Sequence, residues 1–228
     1  MSDAVIFDAA DTLFYNRGLA ALLDSWDQVG DPMLTRSCLD AAIQKVGGRG
    51  LWPSDSATEQ ERHAAWTHFY GLAFLEAGHA PPTAAACAAD CADQVVDPAA
   101  YELFGDVPEV LDALEAHGLP LGIVSNFDPL IWQILDRLDL RRRFRSIVTS
   151  FDAGCYKPDP RIFRRGADEL GVPARAVVFA GDSPYSDVGG ATAAGMAAVL
   201  VDRARRYPDF AGPRVTDLRS LPTLHLGL

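Results

Sequence analysis

Apolar and polar positions follow three regimes along this chain. Residues 4–7 form a short apolar run that stops at Asp8, the pattern of a buried strand ending in a polar turn. From about residue 15 to 97 the period is helical. Leu19, Leu22, Leu23 and Trp26 make one apolar stripe; Trp66, Phe69, Tyr70, Ala73 and Phe74 make another, with Gly78 placed to stop that helix. Breaks between helices fall at 47–52 and 80–82, and the stretch contains no convincing strand. From about residue 104 helices and strands alternate. The pattern predicts a helix over 108–117 closed by Gly118, a strand over 121–124, a helix over 129–138 and a strand over 146–149. It then predicts a helix that starts at Asp159-Pro160 and stops at Gly171, a strand over 176–180, a helix over 187–194 and a strand over 197–201. The tail beyond Asp202 is Arg- and Pro-rich and has no clear period.

Repeated βα units predict a parallel sheet covered on both faces. The expected fold is therefore α/β: a Rossmann-like core from residues 1–14 and 98–228, interrupted by an all-helical insert over 15–97. A chain of 228 residues is long enough for such a core and a smaller second domain. Open parallel sheets bind ligands at the carboxyl ends of their strands. The polar residues expected there are Asp8, Ser125 with Asn126, and Asp182, while Lys157 follows another strand by a short loop. Four segments distant in sequence thus converge on one edge.

Composition narrows the function. With 49% hydrophobic and 22% charged residues the chain is too apolar for a disordered one. A formal net charge of −11 argues against nucleic acid, which needs clustered cations, and against an anionic membrane surface. The basic run Arg141, Arg142, Arg143 and Arg145 reads as a solvated helix C-terminus. The four cysteines contain no CxxC pair, and Cys87 and Cys91 share a helical face as small buried residues. With no leader-like or membrane-length apolar segment, the expected location is the reducing cytoplasm. Only two lysines, Lys45 and Lys157, stand against eighteen arginines, so each is a candidate for work that arginine cannot do.

Each converging segment has a chemical reading and an ordinary one. Asp8 can attack phosphorus and split one displacement into two, or it can cap a turn. The hydroxyl of Ser125 and the backbone N–H groups near Asn126 suit an anionic oxygen, or form a polar turn. Lys157 can offset repulsion between Asp8 and a substrate anion, or lie on the surface. Asp182 and Asp187, in a tight loop after a strand, suit Mg²⁺, or make a turn and a helix cap.

Taken together, these residues resemble the motifs of the haloacid dehalogenase-like (HAD) hydrolases. Asp8-Ala9-Ala10-Asp11-Thr12 partly matches that family's DxDGT, Ser125 its second motif, Lys157 its third, and Asp182 with Asp187 its fourth. The resemblance implies a nucleophilic Asp8 assisted by Lys157, and phosphate contacts from Ser125, Asn126 and Thr12. It also implies Mg²⁺ held by Asp8, the backbone carbonyl of Ala10, Asp182 and Asp187. The insert is similar to a type 1 cap, and Ser125–Asp128 and Lys157–Phe163 are similar to the rhythmically-expressed-gene-like branch of subfamily IA. The expected substrate is a small phosphorylated or phosphonate metabolite, and the expected assembly a monomer or homodimer. His63, Trp66, His68 and Tyr70 are the candidate substrate contacts of the insert.

One departure changes the chemistry. The family's phosphatases place a second Asp two residues after the nucleophile, as general acid and then base; here that position is Ala10. Such assistance is worth roughly 10²–10⁴-fold in rate. Four readings follow: a phosphatase suited to good leaving groups, a phosphonate C–P hydrolase with Lys45 as Schiff base, a metal-free 2-haloacid dehalogenase, or a binding protein on the same scaffold. Asp11, adjacent to Ala10, points a different way and is not expected to substitute.

Overall fold

The computed structural model describes residues 3–27, 36–47 and 57–222. The chain forms two compact units. The first comprises Met1–Tyr15, Leu103–Phe127 and Leu138–Leu228, and the second Asn16–Glu102 and Asp128–Arg137.

The first unit is built on a parallel sheet. Its strands are β1 (Ala4–Phe7), β4 (Leu121–Ser125), β5 (Ser146–Thr149), β6 (Val177–Gly181), β7 (Ala197–Val201) and β8 (Arg214–Val215), in the order β5-β4-β1-β6-β7-β8. Two further short strands, β2 (Phe14–Asn16) and β3 (Tyr101–Leu103), form a separate ladder. The chain winds outward from β1 through β4 to β5, then returns to β6 on the other side of β1. The carboxyl end of β1 is thus the switch point, where an open sheet forms its crevice. All four β1 residues are buried, as a strand covered on both faces requires. Ala4 and Ile6 point into a core with Val124, Phe179, Ile162, Phe163 and Ala191. The alternate residue Phe7 meets Phe144 edge to face at 6.4 Å.

Helices α7 (Ser150–Ala153), α8 (Pro160–Leu170) and α9 (Gly190–Ala194) belong to this unit, as does α5 (Val107–Ala116). The ends of α8 follow from its sequence. The Asp159 carboxylate accepts from the Arg161 N–H, Pro160 opens the first turn, and Gly171 stops the helix at φ 77°. The α/β expectation and the parallel sheet are borne out. The strands read over 4–7, 146–149 and 197–201 have those bounds, and the other elements read in this unit, the helix over 187–194 apart, shift by a residue at one end or both.

Three differences have physical reasons. The helix expected over 187–194 is a wide turn over Pro184–Gly189 followed by the short α9, because Ser183 O accepts from both Asp187 N and Val188 N. Strands β2, β3 and β8 went unread: two or three residues are too few to show an alternation. The arginine run forms a single 3₁₀ turn rather than a helix end. Arg142 pairs with Asp139, and Arg143 reaches Asp112 and Glu115 on α5.

In the second unit α1 is Arg17–Asp27, α2 Arg36–Gly47, α3 Glu59–Glu76, α4 Pro81–Val95 and α6 Leu130–Arg137. A reciprocal pair of bonds between Thr58 and Glu61 starts α3, which buries Trp66, Phe69, Tyr70, Ala73 and Phe74, the stripe read from the sequence. Helix α4 buries Ala84, Cys87, Ala88, Cys91, Ala92 and Val95, small side chains that let it pack closely against α3. Past Gly47, the break expected over 47–52 lies outside the described residues. All four cysteines are free thiols, and burial pushes that of Cys91 up to about 12. Trp66 stacks on Tyr70 and donates to the buried Asp128, so both aromatics are core. His63 pairs with Asp93, and His68 is exposed. Among the described residues no helix is long and apolar enough to cross a membrane.

Packing in the sheet unit is tight enough to dictate glycine. A Cβ on Gly190 would stand 2.5 Å from the Phe163 ring and 2.9 Å from the Pro158 Cα. Gly190→Ala should therefore destabilise the protein by about 1–3 kcal/mol in urea unfolding, although alanine is the better helix former. A variant as stable as the wild type would show that this contact relaxes freely.

Candidate active site

Every residue singled out on the sheet edge belongs to the first unit. Asp8 lies one residue past β1, and its N–H donates to Ala180 O on the neighbouring β6. Ser125 ends β4 and Asp182 follows β6. The parallel register of these strands brings three chain-distant polar groups to one end of the sheet.

The Lys157 loop is placed by Asn126. The Asn126 side-chain amide donates to Lys157 O at 3.1 Å and accepts from Lys157 N at 2.8 Å. This reciprocal pair fixes the backbone of residue 157 against the end of β4, and the Lys157–Pro158 peptide is cis. The Lys157 side chain, 2% exposed, passes over the Phe179 ring and ends between two carboxylates. Its Nζ lies 2.7 Å from Asp8 Oδ1 and 2.6 Å from Asp187 Oδ1. Burial alone would lower the ammonium's pKa; Asp187 and Asp8 more than offset this and raise it above the ordinary lysine value. Ser125 Oγ also donates to Asp8 Oδ1, at 2.9 Å.

The wide turn after β6 delivers Asp187. Ser183 Oγ accepts from Ser186 N, and Ser183 N donates to Asp187 Oδ2 at 2.9 Å, folding that carboxylate back over Gly181. A Cβ at position 181 would stand 2.5 Å from Asp187 Cγ, so glycine at 181 is a steric requirement of this return. One oxygen each from Asp8, Asp182 and Asp187 lie within 4.8 Å of one another, and all three residues are buried. Three carboxylates and one ammonium carry a formal charge of −2 in a desolvated setting. Such a set of hard oxygen donors fits a divalent cation of the Mg²⁺ type.

The turn after Asp8 holds the remaining residues. Leu13 N and Phe14 N both donate to Ala9 O, and Asp11 N donates to Phe14 O. Asp11 takes φ 59° at the crest of this turn and is exposed. Ala10 is half-buried, and its methyl has no proton to give. Thr12 is fully buried, and its hydroxyl has no hydrogen-bond partner among the described residues. Lys45, in the second unit, is half-exposed and paired with Glu76.

Sequence reasoning did not find Arg203 and Asp106. Arg203 donates through Nε and Nη2 to Thr12 O, at 3.2 and 2.7 Å, and through Nη1 to Asp106 Oδ2 at 3.0 Å. Burial would raise the pKa of Asp106, but bonds from Arg203 and Leu218 N hold it below the usual carboxylate range. Arg203 directly follows Asp202 at the end of β7, so the strand-end rule that picked out Asp8 and Asp182 also applied to it.

Comparison with known proteins agrees with this geometry. The haloacid dehalogenase-like hydrolase family matches residues 2–195. The phosphoserine phosphatase of Thermus thermophilus is 34% identical over 190 residues, covering 79% of this chain and 75% of that protein. Haloacid dehalogenase-like hydrolase domain-containing protein 3 of Danio rerio is 40% identical over 106 residues, covering 46% of this chain and 44% of that one. With the mouse protein of the same name, of which the match covers 55%, it shows that the chain spans about half the length of the first such relatives. Among solved structures, the 2-haloacid dehalogenase of Pseudomonas syringae pv. tomato DC3000 is 25% identical with a TM-score of 0.58, covering 97% of both chains. By its sheet, its strand-end carboxylates and these matches, the chain belongs to the haloacid dehalogenase-like hydrolases.

Proposed function

We propose that this enzyme is a Mg²⁺-dependent phosphatase of a small phosphorylated metabolite, working through an aspartyl-phosphate on Asp8 without a side-chain acid at position 10. The observation that carries the reading is the environment of Asp8. It is a buried carboxylate whose Oδ1 takes bonds from Lys157 and Ser125, next to two more buried carboxylates. With Oδ1 held, Oδ2 is the attacking oxygen. It forms a bond to phosphorus as the bond from phosphorus to the leaving oxygen breaks, and water then attacks phosphorus to free Asp8. The Lys157 ammonium reduces repulsion between Asp8 and the phosphoryl oxygens. The Ser125 hydroxyl, the Asn126 backbone N–H and the Thr12 hydroxyl receive those oxygens. Asp8, the Ala10 carbonyl, Asp182 and Asp187 would hold Mg²⁺, which supplies positive charge where the phosphoryl group sits.

Ala10 sets the substrate range. No side chain at that position protonates the leaving oxygen, so good leaving groups, acyl or aryl phosphates, are favoured over alkyl esters. The similarity to a phosphoserine phosphatase supports a small phosphorylated substrate. The likeness to a 2-haloacid dehalogenase favours attack of Asp8 on carbon as the second reading, which the three-carboxylate cluster opposes. A Schiff base at Lys45 is opposed by its exposure and its pairing with Glu76, since such lysines are desolvated and neutral. Four free thiols support a reducing, cytoplasmic setting.

Three outcomes test this reading. Phosphate release from aryl and acyl phosphates should require Mg²⁺, stop with EDTA, and vanish in Asp8→Asn; metal-independent release, or release by Asp8→Asn, would contradict it. Ala10→Asp should raise turnover of alkyl and aryl phosphates alike, by up to about 10²-fold, because the added carboxyl serves as acid in the first step and as base in the second. If neither substrate class is turned over faster by the folded variant, the missing acid–base group is not what limits the enzyme. Lys157→Met should lower stability in EDTA by about 3–5 kcal/mol, because it leaves buried carboxylates unpaired. Added Mg²⁺ should restore part of this loss in urea unfolding, and a variant with wild-type stability in EDTA would contradict the assigned charge balance.

A further inference from the structure

In the turn over residues 9–14, which follows Asp8 and carries Ala10, Leu13 N and Phe14 N donate to Ala9 O, and Asp11 N to Phe14 O. The carbonyl of Thr12 is instead held from outside. Arg203, 191 residues away in sequence, places two of its donors on that one oxygen. Its third donor goes to Asp106, which is 3% exposed and also accepts from Leu218 N at 2.6 Å. The guanidinium carbon lies over the Phe104 ring, 3.9 Å from its centre, and Phe104 N donates to Leu13 O in the same turn. The result is a partly buried node joining the turn after β1, the segment before α5, the exit of β7 and the C-terminal segment. A planar fork holds its donors at fixed angles to two acceptors; an ammonium on a flexible stem has three donors but no such fixed geometry.

From this geometry we infer that Arg203 is a positioning residue for the reaction at Asp8, acting through the peptide of Thr12. Fixing the Thr12 carbonyl fixes the Thr12–Leu13 peptide plane. It thereby holds the backbone from which the buried Thr12 hydroxyl projects, a hydroxyl with no hydrogen-bond partner among the described residues. It also sets the pitch of the turn that presents the Asp8 carboxylate and the Ala10 carbonyl. Asp106 holds the guanidinium in place and does not itself face the turn's carbonyl. The inference rests on the reading of Asp8 as phosphoryl acceptor and of Ala10 as a carbonyl donor to Mg²⁺.

The test uses the full chain and three variants: Arg203→Met, Arg203→Lys and Asp106→Asn. Thermal unfolding establishes that each is folded. Calorimetric titration with Mg²⁺ alone and steady-state release of phosphate from p-nitrophenyl phosphate at saturating Mg²⁺ are then compared. Loss of an outer hydrogen-bond partner of a metal-site residue costs about 10–100-fold in affinity or activity. Arg203→Met should weaken Mg²⁺ by a factor in that range and reduce kcat by a similar factor, with KM little changed. Arg203→Lys should recover part of both, and Asp106→Asn should lie between Lys and wild type. A folded Arg203→Met with wild-type Mg²⁺ affinity and kcat would overturn the inference. So would an Arg203→Lys as damaged as Arg203→Met, because packing alone would then explain the loss. If Arg203→Met does not fold, Arg203→Lys and Asp106→Asn decide, wild-type Mg²⁺ affinity in both being the contradicting result. Should the wild type release no phosphate, the phosphatase reading fails, while the Mg²⁺ titration still decides the role of Arg203.

Discussion

The structure of the carboxylate-bearing sheet edge depends on one buried ammonium. Lys157 Nζ stands between Asp8 and Asp187, and it is the cation through which three desolvated carboxylates come to share one small volume. Isolated buried charges are among the most unfavourable features a fold can carry, and a pair is tolerated only with good geometry and further hydrogen bonds. Here those further bonds are supplied in layers. Ser125 serves Asp8, the Ser183 backbone serves Asp187, and Asn126 holds the Lys157 peptide at both its N–H and its carbonyl. Even so the charges do not balance. The remaining negative charge is a standing demand for a cation and a poor welcome for an anion, which is why a phosphoryl group and a divalent metal are expected to enter as partners.

The same edge explains how a parallel sheet gathers polar groups that are distant in sequence. Strands β1 and β6 are apolar throughout, β4 is apolar up to its last residue, Ser125, and all three are selected for burial. Chemistry begins at the residue where each leaves the sheet. Parallel register puts those residues side by side, and the short connections that follow only need to turn in place. The wide turn over Pro184–Gly189 is one such connection, with Gly181 clearing the space that the Asp187 carboxylate occupies. The turn over residues 9–14 is another, pinned from outside by Arg203.

Much of this was legible before any coordinates. Periodicity placed the main strands, and Asp159-Pro160 with Gly171 fixed both ends of α8, because caps and left-handed stops are local chemistry. Asp8, Ser125, Lys157, Asp182 and Asp187 could be singled out because polar residues following apolar strands have few structural reasons to recur in that order. What stayed hidden was non-local. The double engagement of Asn126 with Lys157 spans 31 residues, and the Arg203 node joins residues 12, 106, 203 and 218. No periodicity or spacing encodes such contacts. Strands of two or three residues were invisible for a different reason: they stop before an alternation can show.

Ala10 gives the central claim its sharpest handle. A phosphatase lacking its usual base should form the aspartyl-phosphate with a good leaving group more readily than it hydrolyses it, so the intermediate should accumulate. The direct measurement is an acid quench of the enzyme during turnover of an aryl phosphate with Mg²⁺, followed by borohydride reduction and peptide mass spectrometry. The account predicts conversion of Asp8 to homoserine in a Mg²⁺-dependent fraction of the protein. Phosphate release without any modification of Asp8, or modification at another carboxylate, would contradict it.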